Sequence, residues 1–259
     1  MAAARSAELA PRRRDRLVEL VAGRGAARLA ELCRELGASP ATVRRDLEEL
    51  EGAGRLRRFH GGAVSIGTRL EEPLFDDKTA IAAREKQRIA EAALKLVGQG
   101  ETVYLDGGST VLELARLLRE RPDATVVTNS LRAAIELAGK GPRLILVGGE
   151  LRRLSQTVVG PLTGAILGQL RPDRAFMGTM GMDPEKGLTT SDPAEAETKR
   201  LAMAASREVV LLAHSAKAGQ TAFVRAGDLG EIDVLITDTG IDRAFAARLA
   251  RQGVKVIRV

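Results

Sequence analysis

Seven short runs rich in β-branched and aliphatic residues alternate with helical patterns over residues 85–259, and this alternation constrains the fold most strongly. The runs are TVYLD, ATVVT, RLILVG, DRAFMG, REVVLLA, DVLITD and VKVIRV. Amphipathic segments such as TVLELARLLRE, LRAAIELAG and EAETKRLAMAA lie between several of them. Alternating strands and helices are typical of βαβ units, whose strands run parallel. We therefore predict a mostly parallel α/β sheet covered by helices on both faces.

Glycines and small polar residues follow the first three runs, where strands of the predicted sheet end. Amide groups at the start of a helix, next to hydroxyl groups, favour anion binding, although each turn alone also suits an ordinary strand-to-helix connection. The turns match neither a Rossmann nor a P-loop motif. Three such turns at strand ends predict a ligand crevice. Its candidate residues are Gly108, Ser109, Thr110, Thr128, Asn129, Ser130, Gly148 and Gly149.

Charged residues add to this candidate crevice. Asp106 ends the first run, and Lys217 lies in a Ser/Ala/Gly-rich turn, where its ammonium group could reach a phosphate or carbonyl oxygen. An ordinary solvated lysine is the alternative for Lys217. Glu195 and Lys199 stand four residues apart in a predicted helix, a spacing that by itself favours a routine ion pair on the protein surface.

Basic residues are concentrated near the N-terminus. Residues 1–69 carry 14 arginines, no lysine and 9 acidic residues, which accounts for +5 of the chain's net charge of +6. A small basic segment joined to a nearly neutral remainder indicates a head that binds a polyanion. An arginine-rich surface that only reflects codon usage is the alternative.

Three helices and a hairpin are predicted in this basic segment. The first helix covers about 12–22, and ARLAELCREL forms the second, with its leucines on one face. A tight Gly-Ala-Ser turn follows, in which Ser39 is the N-cap and Pro40 the first residue of the third helix. RLRRFHGG then alternates arginines with apolar residues before a Gly-Gly bend, as a basic wing does. Together they predict a winged helix-turn-helix over residues 1–64.

The third helix has a buried face and an outward face. Val43, Leu47 and Leu50 share the buried face, and residues early in the helix point away from it. In a recognition helix such residues meet base edges, and arginines suit guanine or phosphate. Asp46 is expected to orient an arginine. The DNA-contact candidates are Ser39, Pro40, Ala41, Thr42, Arg44 and Arg45 in the helix, and Arg57, Arg58, His60 and Gly61 in the wing.

The segment GASPATVRRDLEELEGAGRLRRFHGGAV resembles the signature of the DeoR family of bacterial transcriptional repressors. Its TVRRDL and HGGA match the family's helix and wing motifs, with Ala38 where valine is usual. Further along, YLDGGST, VVTNSL, LVGGELR, EAETKR and VLITD follow the family's effector-domain pattern in order. The resemblance covers nearly the whole chain. It implies an effector domain similar in fold to ribose-5-phosphate and glucosamine-phosphate isomerases, and a phosphorylated sugar or related metabolite as its ligand.

The resemblance also implies particular effector contacts. They are Asp106, Gly108, Ser109, Thr110, Asn129, Glu195, Lys199 and Lys217. Two departures from the family pattern bear on ligand choice. Gly107 and Ser109 alter the commoner Asp-Ser-Gly-Thr-Thr loop while keeping a hydroxyl group. His214 replaces the acid of Asp-x-Ser-Lys-Phe-Gly, and the aromatic residue of that motif is missing as well.

These observations together predict a sequence-specific DNA-binding regulator that represses a sugar-catabolism operon. A phosphorylated sugar effector would release it from its double-stranded DNA operator. Because one head makes few base contacts, a homo-oligomer (a dimer or tetramer) on paired half-sites is expected. The alternative is a sugar-phosphate isomerase-type enzyme with an accessory nucleic-acid-binding head, in which Asp106 or Glu195 is the base and Lys217 polarises a carbonyl. A metabolite-binding scaffold that never touches DNA is a third option, and it would show no salt-dependent DNA affinity. The arginine-rich head, which has no catalytic purpose, argues against an enzyme.

Composition excludes several other classes. One cysteine and two histidines make a metal site unexpected, and 2% aromatic residues argue against binding by base stacking. No apolar run is long enough for a membrane span, and the N-terminus lacks the apolar region of a secretory signal. We expect a cytoplasmic protein without cofactor or metal. The predicted domains are 1–64, a linker over 65–84, and an effector-binding and oligomerisation domain over 85–259.

Overall fold

The computed structural model describes residues 12–22, 26–59, 61–65, 72, 75–139 and 141–259. The chain divides into two compact units, Met1–Pro73 and Leu74–Val259. The division falls inside the stretch predicted as a linker, and a later part of that stretch is helical. In these described ranges, no helix is long and apolar enough to cross a lipid bilayer.

The N-terminal unit is built from helices and a small antiparallel sheet. Its described elements are α1 (12–22), β1 (Ala26–Arg28), α2 (Leu29–Leu36), α3 (Pro40–Gly52), β2 (Leu56–Phe59) and β3 (Gly62–Ser65). The sheet order is β1-β3-β2, and β2 with β3 forms the predicted wing hairpin. The predicted second helix is two residues too long, because Ala27 and Arg28 pair with Ala63 and Gly62 as part of β1.

The turn between α2 and α3 follows local chemistry. Gly37 ends α2 in the left-handed region at φ 58°, which favours glycine. The Ser39 hydroxyl then caps α3 by accepting the Thr42 N–H at 3.3 Å, and Pro40 is the first helical residue. A single core lies beneath, in which Leu17, Leu32, Val43 and Leu56 are almost fully buried. These contacts hold α3 against α1, α2 and the wing.

The C-terminal unit contains the α/β elements. Those in the described ranges are α4 (Phe75–Ala80), α5 (Ala83–Leu94), β4 (Thr102–Leu105), α6 (Ser109–Leu118), β5 (Thr125–Thr128), α7 (Leu131–Leu137), β6 (Arg143–Leu146), β7 (Glu150–Arg152), β8 (Thr157–Val159), α8 (Pro161–Leu167), β9 (Arg174–Met177), β10 (Gly181–Asp183), β11 (Gly187–Thr190), α9 (Pro193–Ala205), β12 (Glu208–Leu212), β13 (Val224–Gly227), β14 (Val234–Thr237), α10 (Arg243–Arg251) and β15 (Lys255–Arg258).

Seven strands form the main sheet of this unit, in the order β15-β14-β12-β9-β4-β5-β6. Every neighbouring pair is parallel. These strands are the seven runs of the sequence, so the predicted parallel α/β sheet is confirmed. Val103 and Leu105 pack with α5, α6 and α7 on one face, while Tyr104 joins the core under α8, α9 and α10. Both faces are therefore covered, as parallel sheets require.

Several elements did not follow from the sequence pattern. The hairpin β7–β8, the antiparallel sheet β10-β11-β13 and the helices α4 and α8 were not predicted. Their segments are three to seven residues long and too short to show a period. Close packing between segments, which a sequence pattern does not show, positions these elements instead. Gly149, at φ 148°, leaves room for Thr163 and Val159, which a side chain there would meet at 2.2 and 2.7 Å.

Candidate functional site

The first candidate surface is the N-terminal half of α3. Ser39, Pro40 and Ala41 are exposed and Thr42 is half-buried. The neighbouring side chains of Arg44 and Arg45 are exposed too, and within the described ranges neither forms an ion pair. The helix therefore presents two solvated guanidinium groups beside a capped N-terminus. Such a surface can approach base edges or phosphate without first breaking a salt bridge.

Asp46 takes a different role on the same helix. It is 2% exposed, and its carboxylate accepts hydrogen bonds from Arg13 Nε at 2.5 Å and from Arg14 Nε at 3.3 Å. The hydrogen bond to Asp46 raises the pKa of Arg13. The arginines that Asp46 orients thus come from α1, and the contact joins α1 to α3.

The wing is also tied to α3. Arg58 Nη1 donates to Glu48 at 2.6 Å, and Arg58 Nε donates to Glu51 at 2.9 Å. The hydrogen bond to Glu48 raises the pKa of Arg58. Gly61 is exposed at φ 104°, and its carbonyl accepts the N–H of Leu29. The Arg57 side chain and all of His60 lie outside the described residues.

The second candidate site lies at the carboxyl ends of the parallel strands. Strands β4, β5 and β6 are neighbours, so the three predicted turns meet at one edge. Gly108, at φ 137°, is the N-cap of α6, and Ser109 and Thr110 are buried in its first turn. Anions are favoured at such a helix start because its first N–H groups lack helical partners.

Asp106 and Lys199 form a buried ion pair at this edge. The Lys199 ammonium group donates to Asp106 Oδ2 and, at 3.0 Å, to the carbonyl of Gly178. The Gly178 N–H donates to Asp106 at 3.0 Å. Burial raises the pKa of Asp106, against the opposing effects of Lys199 and Gly178. The four-residue spacing of Glu195 and Lys199 favoured an ion pair on the protein surface. This prediction is wrong, since both side chains are buried where α9 packs on the sheet.

Glu195 binds neighbouring hydroxyl groups. Thr157 Oγ1 donates to it at 3.0 Å and Thr190 Oγ1 at 2.9 Å, while Arg152 Nη1 lies 3.8 Å away. Burial raises its pKa, but Lys199, Ser155 and Arg152 more than offset this, so that the pKa of Glu195 is lowered. Glu195 therefore remains a charged acceptor close to Lys199.

The remaining predicted residues have structural partners. Thr128 donates to the Leu105 carbonyl at 2.7 Å, and Ser130 caps α7 through the Ala133 N–H. Asn129 Nδ2 donates to the Val158 carbonyl at 3.1 Å, but among described groups its Oδ1 atom is buried without a partner. The Gly148 carbonyl accepts the Thr163 hydroxyl, and Gly149 makes the close turn described above.

Lys217 lies further along the same edge of the sheet. It ends a short 3₁₀ helix, Ser215–Lys217, after β12, and β9 separates β12 from β4. Its side chain is half-buried. The nearby His214 is 6% exposed, and burial, with Lys217 and Lys86 close by, lowers its pKa well below 6.5. The residue that departs from the family pattern is thus a neutral, buried imidazole.

Four residues around this cluster were missed from the sequence. One of them, Gly178, contacts Asp106 and Lys199. The other three contact Glu195 and are Thr157, Thr190 and Arg152. They come from β7, β8, β11 and the turn after β9, and most of these elements have no period to detect. The Gly-Gly dipeptide after β4 was the one sequence feature that could have indicated a close contact at this point. A Cβ at position 107 would lie 2.1 Å from Thr157 Cγ2, so glycine is needed there for close approach.

A capped, arginine-bearing recognition helix with a wing, joined to an α/β unit with a buried polar cluster at its strand ends, defines a DNA-binding regulator with a sensor domain. The family described as DeoR-like helix-turn-helix domain matches residues 13–69. The family described as DeoR C terminal sensor domain matches residues 81–239. The chain belongs to the DeoR family of transcriptional regulators.

Curated relatives agree over nearly the full length. The transcriptional regulator GlpR of Haloferax volcanii is 37% identical, covering 95% of this chain and 96% of its own. The glycerol-3-phosphate regulon repressor of Escherichia coli K12 is 34% identical over 87% and 90%, and a putative aga operon transcriptional repressor of Escherichia coli O157:H7 is 32% identical over 95% and 93%. The chain is therefore a regulator and not an enzyme, and the isomerase alternative is wrong.

Among solved structures, ribose 5-phosphate isomerase A from Methanocaldococcus jannaschii aligns with 53% of this chain and 55% of its own. The identity is 19% and the TM-score 0.41. The α/β fold class rests on the observed parallel sheet and on the sensor-domain family rather than on this alignment.

Proposed function

We propose that this protein represses a sugar-catabolism operon by binding its DNA operator through α3 and the wing. The observation that carries the proposal is the exposed Arg44–Arg45 pair in the capped half of α3. Arg13, Arg14 and Arg58 are already engaged by carboxylates, whereas these two guanidinium groups face solvent. The relatives named as repressors of the glycerol-3-phosphate regulon and the aga operon support the same role.

Its effector is a phosphorylated sugar, bound at the carboxyl ends of β4, β5 and β6. The start of α6 offers N–H groups and the hydroxyls of Ser109 and Thr110 to a phosphate. Glu195 and Asn129 Oδ1 are acceptors suited to sugar hydroxyl groups. Gly108, Thr128, Ser130, Gly148 and Gly149 shape the turns. Lys199 and Lys217 supply positive charge from the side of β9 and β12.

Effector binding releases DNA only if the effector prefers a state with lower operator affinity. Linkage then requires the operator to weaken effector binding by the same factor. A dimer or tetramer supplies two heads that bind paired half-sites. Ligand binding can change the arrangement of these heads and so lower operator affinity. Reciprocal coupling is therefore the quantitative signature of the proposed function.

Fluorescence anisotropy with the upstream region of the gene tests the DNA contacts. Arg44→Ala and Arg45→Ala each lose about 1–3 kcal/mol of operator binding and some sequence selectivity. Arg200→Ala, which removes an exposed arginine from α9, is the matched control and binds like the native chain. Native affinity in both α3 variants would exclude this helix as the recognition surface.

Thermal-shift measurements test the effector. Glycerol 3-phosphate and a panel of hexose phosphates are compared with inorganic phosphate and with the unphosphorylated sugars. The proposed ligand raises Tm and lowers operator affinity, and both effects are lost in Ser109→Ala/Thr110→Ala. A ligand that raises Tm equally in that variant binds elsewhere.

A further inference from the structure

Large apolar side chains are exposed around the edge strand β6. Ile135 is 64% exposed on α7, Leu146 47% on β6, Leu151 45% on β7 and Leu162 69% on α8. These elements contact one another: α7 touches β6 and β8, β7 pairs with β8, and α8 touches β8. Four of the five large apolar residues exposed in the described ranges therefore lie on elements that adjoin one another at one edge of the sheet. A concentration of this kind marks an interaction surface.

Among the described residues, no strand pairs with the outer side of this edge. Strand β6 ends the seven-stranded sheet. The Arg143 N–H donates to Ala124, just before β5, and the Val147 N–H, just after β6, donates to Thr128. Because peptide groups alternate along a strand, those of Leu144 and Leu146 point away from β5. Such an edge is a template for another strand unless it is covered. Here it is flanked by leucines rather than blocked by lysine or proline within the strand.

The charges around this edge make it complementary to itself. Arg143 is exposed at the start of β6, and Glu150 is exposed just beyond its end, at the start of β7. A two-fold axis at Ile145 places Leu144 of one copy opposite Leu146 of the other, antiparallel. It also brings the arginine end of each strand toward the glutamate end of its partner. An isologous interface needs this kind of self-complementary patch.

We infer that the β6 edge, with Leu146, Leu151 and Leu162 beside it, is the surface through which two copies of this chain associate. Antiparallel β6–β6 pairing continues the sheet across the dimer, and the flanking leucines are buried on association. This inference rests on the proposed function, because it supplies the two heads that paired half-sites require. Subunit association is measured without DNA, however, so this inference and the proposed function can fail separately.

Light scattering after size-exclusion chromatography of the full chain, over a range of concentrations, gives the association state. The native chain is at least a dimer, and Leu146→Glu raises the dimer dissociation constant about 100-fold or more, because it buries an unpaired charge in the interface. Phe223→Glu is the matched control, since Phe223 is 53% exposed outside the patch, and it leaves association unchanged. Equal Tm values verify that both variants fold.

Charge reversal tests the two-fold arrangement itself. Arg143→Glu and Glu150→Arg each raise the dissociation constant about tenfold by placing like charges together. The double variant Arg143→Glu/Glu150→Arg regains native association within about threefold, because each new pair is again opposite in sign.

Three results would overturn the inference. A native chain that is monomeric at tens of micromolar would mean that another molecule covers the patch. Dissociation by Phe223→Glu as strong as by Leu146→Glu would make the effect non-specific. Additive losses in the double charge reversal would exclude the two-fold arrangement. Operator binding retained by a monomer would leave the proposed function standing while removing this interface.

Discussion

The Asp46 carboxylate of α3 accepts a hydrogen bond from Arg13 Nε of α1 at 2.5 Å, and a second from Arg13 Nη2 at 3.1 Å. A bidentate contact of this geometry fixes both position and orientation. Asp46 is buried whereas the Arg13 side chain is 23% exposed, so solvent weakens the pair only in part. The recognition helix is thus attached to α1 at its centre, next to the exposed Arg45.

Asp46→Ala is expected to destabilise the N-terminal unit by about 1–3 kcal/mol, because it removes the carboxylate partner of Arg13 and leaves Arg14–Glu49 as the ion pair that joins α1 to α3. Urea unfolding measures the loss. Glu19→Ala, which removes a solvent-exposed partner of Arg16, is the control and changes stability by less than about 0.5 kcal/mol. An Asp46→Ala variant as stable as the control would show that the bidentate contact contributes little.

Lys199→Met is expected to leave Asp106 buried without its cation. The pKa of Asp106 is already raised by burial, and removing Lys199 raises it further, so that the carboxyl takes up a proton. The loss of unfolding free energy near neutral pH is about 3–5 kcal/mol.

The double variant Asp106→Asn/Lys199→Met tests the pairing, because it removes both charges. It should be more stable than Lys199→Met alone. Chemical denaturation of the native chain, Asp106→Asn, Lys199→Met and the double variant gives the coupling energy. Strictly additive losses would mean that the two groups do not stabilise each other.

Gly107→Ala is expected to destabilise the C-terminal unit by about 1–3 kcal/mol, because the added Cβ would lie 2.1 Å from Thr157 Cγ2. Thr157→Ser removes that methyl group and keeps the hydroxyl that binds Glu195. Gly107→Ala/Thr157→Ser should therefore recover most of the lost stability, as judged by Tm. A double variant no more stable than Gly107→Ala would exclude this close approach as the reason for glycine.

His214 predicts a particular pH dependence. Its pKa is lowered well below 6.5 by burial, with Lys217 and Lys86 adding to the effect, so the unfolded chain binds a proton at higher pH than the folded one. The contribution of His214 to the unfolding free energy is therefore fully present above about pH 6.5. It is lost as the pH falls below that value, by at most about 1.4 kcal/mol per pH unit.

Unfolding free energies between about pH 7 and 5 measure this slope. His214→Gln should flatten it, and His60→Gln, which changes the other histidine, should keep it. An unchanged slope in His214→Gln would mean that the imidazole is protonated in the folded protein. The buried Asp106 contributes with the opposite sign, since its raised pKa favours the folded state at lower pH.

Local sequence chemistry determined much of this molecule. Gly37, Ser39 and Pro40 specify where α2 ends and α3 begins, because a left-handed turn, a side-chain cap and a proline ring act within a few residues. The seven strands of the main sheet were readable for the same reason, since each is a short apolar run bounded by turn residues. Both the winged helix-turn-helix and the parallel sheet followed from these signals.

Only the tertiary structure decided which distant groups meet. Asp106 and Lys199 are 93 residues apart, and spacing along α9 suggested a surface pair with Glu195 instead. Periodicity reports the face of an element but not its partner across the sheet, so the order of the strands and the hairpin β7–β8 could not be read from it. The buried charges exist because packing brings α9 over the ends of β4 and β9, where desolvated groups must find partners of opposite charge.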